Sequence, residues 1–76
     1  MTLIEKATAR VEQLLANPEQ RSIEENAPLI KMKDGRRVMV ESQLNRYRVS
    51  QDFGCTCRQI GVFETPQQIA EFLINW

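Results

Sequence analysis

Residues 29–42 read LIKMKDGRRVMVES, and this stretch decides the fold. Apolar side chains alternate with charged or polar ones on both sides of Asp34-Gly35, and on one parity they are Ile30, Met32, Val38 and Val40. A period of two is typical of a half-buried strand. The Asp-Gly pair accepts the positive φ angles of a type I′ turn, so we expect strands over 29–33 and 36–42 joined by a two-residue turn.

Two more strands are expected after this hairpin. Residues 46–51 follow a turn near 43–45 and carry Tyr47 and Val49 on one parity. Residues 55–63 return as a fourth strand, but the alternation there is broken. An extra residue between positions 58 and 61 would shift the parity, and glycine marks such places, so we expect a β-bulge next to Gly61.

Helices are predicted at both ends of the chain. The first covers about 3–16, beginning at the Thr2–Glu5 capping-box spacing, and its apolar stripe is Ile4, Ala7, Val11, Leu14 and Leu15. The second begins at Pro66 after the N-cap Thr65 and is expected to run to Trp76. Residues 17–28 contain one strong hydrophobe, Ile23, so any short helix there would lie on the surface.

The pattern therefore predicts one small α+β domain spanning residues 1–76. We expect a two-layer arrangement of an N-terminal helix, an antiparallel meander of three to four strands and a C-terminal helix. Both helices have one apolar stripe and the strands have one apolar parity. The simplest packing places both helices on one face of the sheet and leaves the other face to solvent.

Composition limits the functional classes. The chain has ten basic and ten acidic residues, although residues 31–58 carry a net charge of +4 between two acidic ends. There is no histidine, and no paired carboxylates converge, so we expect no enzymatic activity, no catalytic residues and no cofactor. No stretch resembles a membrane span or a signal peptide, and the thiols suggest a reducing compartment, so we expect a cytoplasmic protein.

The outward parity of the predicted sheet collects positive charge. We expect a basic face formed by Lys31, Lys33, Arg37, Arg46, Arg48 and Arg58. Such a face can hold an acidic protein patch or phosphates, with bidentate contacts from the arginines. The alternative is a solvated surface on which long cationic side chains guard against edge pairing.

The last helix offers a second candidate surface. Phe72 and Trp76 belong to its apolar stripe, and a tryptophan at the end of so small a domain is expected to be only half covered. Pairing of two copies through the helices or a free sheet edge would enlarge a thin core, so a homodimer is plausible. The leading hypothesis is a non-enzymatic interaction module, an accessory or inhibitory factor of possible mobile-element origin, that binds a protein.

Two other functions remain open. The basic face is also compatible with electrostatic nucleic-acid binding, although that face carries no aromatic side chain for base stacking. Cys55 and Cys57 are compatible with a metal or redox protein, but a structural zinc site needs four ligands and the second pair is missing. We expect no metal site and interpret the two cysteines as small apolar residues packed inward on a strand.

Overall fold

The computed structural model describes residues 1–76 and contains two helices and four strands. Their bounds are α1 (Leu3–Ala16), β1 (Leu29–Lys31), β2 (Arg37–Gln43), β3 (Arg46–Asp52), β4 (Cys57–Phe63) and α2 (Pro66–Ile74). The strands form one antiparallel sheet in the order β1-β2-β3-β4. The predicted α+β meander between two helices is confirmed. Neither helix is long and apolar enough to cross a membrane.

Both helices begin where their capping residues predict. The Thr65 hydroxyl accepts from the backbone N–H of Gln68 at 3.2 Å, and the Gln68 side chain accepts in return from the N–H of Thr65. The Thr2 hydroxyl accepts from the N–H of Glu5 at 3.1 Å. These bonds satisfy N–H groups that have no partner inside the helix. At its C-terminus α2 ends at Ile74, two residues earlier than predicted.

The main core lies between the helices and one face of the sheet. The sheet contributes Val38, Val40 and Val49, which are fully buried, together with Ile30. The helices contribute Val11, Leu14, Ile69, Ala70 and Leu73. All the apolar residues on the predicted inward parity of β1, β2 and β3 contact this core. Both helices therefore cover the same face, as the amphipathic patterns predict.

The opposite face of the sheet, here called the outer face, is not left to solvent. Met39 is 1% exposed and Ser50 is 3% exposed, although both lie on the parity that was expected to face solvent. Met39 belongs to a second, smaller apolar cluster with Ala27 and Leu29. The segment between α1 and β1 forms this cover, so the prediction of a solvated outer face is wrong over its centre.

That covering segment, residues 17–28, contains no helix. The Ser22 N–H donates to the Ala27 carbonyl at 2.8 Å, and the Ala27 N–H donates to the Ser22 hydroxyl at 3.1 Å. Next to this closed turn, the Leu29 N–H donates to the Gln20 carbonyl at 2.9 Å. The last bond uses the free edge of β1. Hydrogen bonds of the backbone and of the Ser22 hydroxyl thus hold residues 17–28 against the sheet, since this segment has little apolar surface of its own.

The turn between β1 and β2 also differs from the prediction. β1 ends at Lys31, and the Gly35 N–H donates to the Met32 carbonyl at 3.1 Å. Gly35 has φ +93°, whereas Asp34 does not have a positive φ, which a type I′ turn requires. The connection is the longer hairpin loop in which one left-handed glycine follows the turn. Lys33 consequently lies in the loop rather than on a strand.

The predicted bulge is confirmed at Ile60 of β4. Val49 is paired with Gly61 and Ser50 with Gln59, so Ile60 is the extra residue. The bulge returns Phe63 to the face that the helices cover, and Val62 points outward and is exposed. The broken alternation of residues 55–63 is thus explained by one inserted position.

Candidate interaction site

Two of the six predicted basic-face residues are already paired with acids. The Arg37 Nη2 lies 3.2 Å from the Asp52 carboxylate on β3. The Arg48 Nη2 lies 2.6 Å from Glu41 on β2, and its Nε donates to the same carboxylate at 3.2 Å. These are cross-strand contacts, since Arg37 is opposite Asp52 and Glu41 is opposite Arg48 in the ladder. The positive charge on the outer face is therefore reduced by neighbours on the sheet itself.

The covering segment adds further negative charge. The hydrogen bonds to Glu41 raise the pKa of Arg48 above its ordinary value, and the charge of Glu25 contributes in the same direction. Glu25 and its neighbour Glu24 belong to residues 17–28, which cross the outer face. Glu25 thus lies near Arg48, a cation that the sequence pattern assigns to a free basic surface.

The other four predicted residues are separated from one another. Lys31 is on the edge strand β1, and Lys33 is in the β1–β2 loop. Arg46 lies at the other end of the sheet, at the start of β3. Arg58 is opposite Gln51, on the parity that faces the helices, so its predicted place on the basic face is wrong. The six side chains do not form one patch.

The two cysteines are both exposed, contrary to the inward packing expected of them. Cys57 is opposite Asp52 on the outer parity of β4, and Cys55 lies in the loop before it. The bulge at Ile60 explains the difference, because it shifts the alternation by one residue. Gly61 and Phe63 are therefore on the inward parity of β4, whereas Cys57, before the bulge, is on the outer parity. No group of three or more Cys, Asp or Glu side chains is placed to hold a metal ion.

An open apolar groove lies on the helix side of the molecule. It is bounded by the N-terminal half of α1, the end of α2 and the β1–β2 hairpin, and its volume is about 520 Å³. Nine of its fourteen lining residues are apolar. They are Leu3, Ala7, Val11, Ile30, Met32, Ala70, Leu73, Ile74 and Trp76. From Leu3 to Val11 the groove follows α1 for about 12 Å, roughly two helical turns.

Trp76 is part of the groove wall and is held by Arg36. The Arg36 guanidinium carbon lies 3.9 Å from the centroid of the indole, and its Nη1 donates to the Trp76 carbonyl at 3.2 Å. Phe72, the other predicted interface residue, does not line the groove. Its ring is 5.2 Å from that of Phe63 and 6.4 Å from that of Trp76. The structure therefore places only Trp76 in the groove.

The rim of the groove is predominantly cationic. Its charged residues are Arg10, Lys31, Lys33, Asp34 and Arg36. The two arginines are paired, Arg10 with Glu19 at 2.9 Å and Arg36 with Asp34 at 2.7 Å. The two lysines have no carboxylate partner. Lys31 is opposite Arg37 on the outer parity of β1, so Lys33 in the β1–β2 loop is the lysine that gives the rim a free positive charge. The groove thus combines an apolar floor with a rim of net positive charge.

Two groove residues were missed by reasoning from the sequence. Leu3 is 66% exposed and Ile74 is 38% exposed, and each lies outside the apolar stripe assigned to its helix. Their place beside the stripe is the signal that sequence reasoning could have used. An additional apolar residue there makes the apolar face of the helix wider than the core can cover. The helix pairing brings the two together, since the start of α1 lies beside the end of α2.

A second depression lies between α2 and β4. It is larger, about 720 Å³, but half of its eight lining residues are polar, and its charged residues are the acids Glu64 and Glu71.

No protein-family model, curated protein or solved structure matches the chain. The functional interpretation therefore rests on the geometry and charge of the groove itself.

Proposed function

We propose that this domain is a non-enzymatic interaction module that binds a protein partner in the groove between α1, α2 and the β1–β2 hairpin. The observation that carries the proposal is the open apolar floor, on which Leu3 and Ile74 remain exposed in a chain with a small core. Contiguous exposed apolar surface with a polar rim is typical of a protein-binding site. Such a module acts as an accessory or inhibitory factor, by occupying its partner.

The groove is a better candidate than the outer face for two reasons. The outer face has its centre covered by residues 17–28, and Arg37 and Arg48 are engaged with acids there. The groove, in contrast, presents a tryptophan and a rim of net positive charge with a free lysine, Lys33. Tryptophan is enriched among residues that dominate binding energy, and here its position is already fixed by Arg36. A fixed side chain loses little further conformational entropy when a partner binds.

The proposal is tested by recovering partners from nuclease-treated extract of the source cells with three forms of the tagged protein. The first is the parent chain. The second carries Leu3→Glu and Ile74→Glu in the groove. The third carries Leu44→Glu and Val62→Glu, a matched control, since these are also exposed apolar residues and lie outside the groove.

We expect the parent and the control to recover the same protein and the groove variant to lose it. Circular dichroism of all three forms checks that the fold is retained. Recovery of the same protein by the groove variant contradicts the proposal. Nucleic acid recovered without nuclease, and retained by the groove variant, contradicts it as well, and favours the electrostatic nucleic-acid binding considered above.

A further inference from the structure

We infer that the occupant of the groove is an acidic amphipathic helix of the partner protein. This inference rests on the proposed function and specifies the chemistry of the partner. It starts from the net positive charge of the rim, on which Lys33 has no carboxylate within ion-pairing distance. An apolar segment flanked by carboxylates is complementary both to this rim and to the floor.

The shape of the floor favours a helix. The residues that α1 contributes are spaced four apart, at positions 3, 7 and 11, so the groove runs about two turns along that helix. A partner helix with apolar residues at i, i+3 or i+4, and i+7 covers the same length. Its flanking positions then face the hairpin, where Lys33 lies, and an acidic residue there forms an ion pair with it.

An extended occupant has little backbone to pair with. The only sheet edge at the groove is β1, which has three residues. The N–H of Leu29 on that edge already donates to Gln20 at 2.9 Å. Addition of a strand needs a row of free backbone groups, and this edge does not supply one. Helix-in-groove binding needs only side-chain contacts, which the floor provides.

Fluorescence anisotropy with three synthetic peptides tests the inference. All three are 18 residues long and share one apolar stripe at helical spacing. The first has glutamate on the flanking positions, the second has lysine there, and the third is the acidic peptide with a central proline that breaks the helix. Each is titrated with the parent protein, with a Lys33→Glu variant and with an Arg46→Glu variant. The last is the matched control, because it changes the net charge equally at one exposed residue outside the groove.

We expect the acidic peptide to bind the parent about fivefold more tightly than the basic peptide, because the rim charge of Lys33 changes from repulsion to attraction. The Lys33→Glu variant should reverse this preference, whereas the control should leave it unchanged. Added salt should weaken binding of the acidic peptide. Binding should also fall in the Leu3→Glu/Ile74→Glu variant, because its floor is no longer apolar.

Four results overturn the inference: no binding of the acidic peptide at about 1 mM, equal binding of the acidic and basic peptides, undiminished binding of the proline peptide, or loss of binding in the control variant. A parent protein that is dimeric in solution, and monomeric with Leu3→Glu/Ile74→Glu, also overturns it, since a second copy then fills the groove. If the peptides fail but recovery of a cellular protein still depends on Leu3 and Ile74, the proposed function stands and only the acidic helix is wrong. If recovery is independent of the groove, both are wrong.

Discussion

The guanidinium of Arg36 lies 3.9 Å from the centroid of the Trp76 ring and donates to the Trp76 carbonyl at 3.2 Å. Trp76 is beyond the end of α2 at Ile74, so this contact ties a residue outside the helix to the β1–β2 hairpin. The same guanidinium is fixed by Asp34, whose carboxylate accepts from its Nε at 2.7 Å. One wall of the groove is therefore held by a chain of three side chains.

Replacement of Arg36 by alanine should release Trp76. We expect the free energy of unfolding to fall by about 1–2 kcal/mol, from the lost cation–π contact and hydrogen bond. Trp76 is the only tryptophan, so its fluorescence reports the change directly, with emission shifting to longer wavelength as the ring becomes more exposed. Arg46→Ala, at an arginine without an ion pair, is the control and should leave the emission unchanged. An unchanged spectrum in Arg36→Ala contradicts the assigned contact.

The cover on the outer face makes Met39 a core residue. Met39→Ala should lower the free energy of unfolding by about 2–5 kcal/mol, as truncation of a buried side chain does. Leu44→Ala is a suitable comparison, because Leu44 is 97% exposed and its truncation should cost less than about 0.5 kcal/mol. Urea denaturation measures both. Equal, small effects at the two positions would show that residues 17–28 do not cover the sheet.

The ring of Phe63 leaves no room for a side chain at position 61. A Cβ at Gly61 would lie 2.6 Å from the Phe63 Cζ, and that ring is packed against Phe72. Gly61→Ala should therefore cost about 1–3 kcal/mol through overpacking. The double variant Gly61→Ala/Phe63→Leu should cost about 1 kcal/mol less than the sum of the single variants, because the smaller side chain relieves the clash. Strict additivity in urea denaturation contradicts this contact.

Asp34 should make the stability of the domain sensitive to acid. Its pKa is held below the ordinary aspartate value, first by the backbone N–H of Arg36, which donates to Oδ1 at 3.1 Å, and further by the Arg36 side chain. Because the folded pKa is the lower one, the contribution to stability is complete above the unfolded pKa of about 3.9 and is lost as the pH falls through the folded pKa.

The stability difference between the parent and Asp34→Asn should accordingly be largest at neutral pH and shrink below about pH 4. NMR titration of the Asp34 carboxyl should give a midpoint below about 3.9 in the parent. Arg36→Ala should raise that midpoint only part of the way, since the backbone N–H remains. A full return to the ordinary value would assign the shift to the side chain instead.

The sequence predicts the framework well because local signals and periodicity agree there. The hairpin around Gly35, the bulge near Gly61 and the caps of both helices are all confirmed. The length of the β1–β2 turn is wrong because an Asp-Gly pair is compatible with more than one hairpin loop. Gly35 has a positive φ in both the two-residue turn and the longer loop. Only the φ of Asp34 distinguishes the two connections.

The surfaces are less predictable because they depend on contacts between distant parts of the chain. Met39 and Ser50 are neither charged nor strongly polar, and this was the one indication that their parity is covered. The segment that covers them has almost no apolar pattern, so its path is decided by hydrogen bonds of Ser22 and Gln20. The only local signal of the groove is that Leu3 and Ile74 lie beside the apolar stripes of their helices, and its walls come from three separate elements.

Site-specific photo-crosslinking in the source cells tests most directly whether the groove is the binding surface. Benzoylphenylalanine is placed singly at positions 3 and 74 in the groove, and at positions 44 and 62 outside it, all of them exposed in the structure. We expect one cellular protein to be crosslinked from positions 3 and 74 and not from positions 44 and 62. Crosslinking from positions 44 or 62 alone, or from none of the four, would contradict the proposed function.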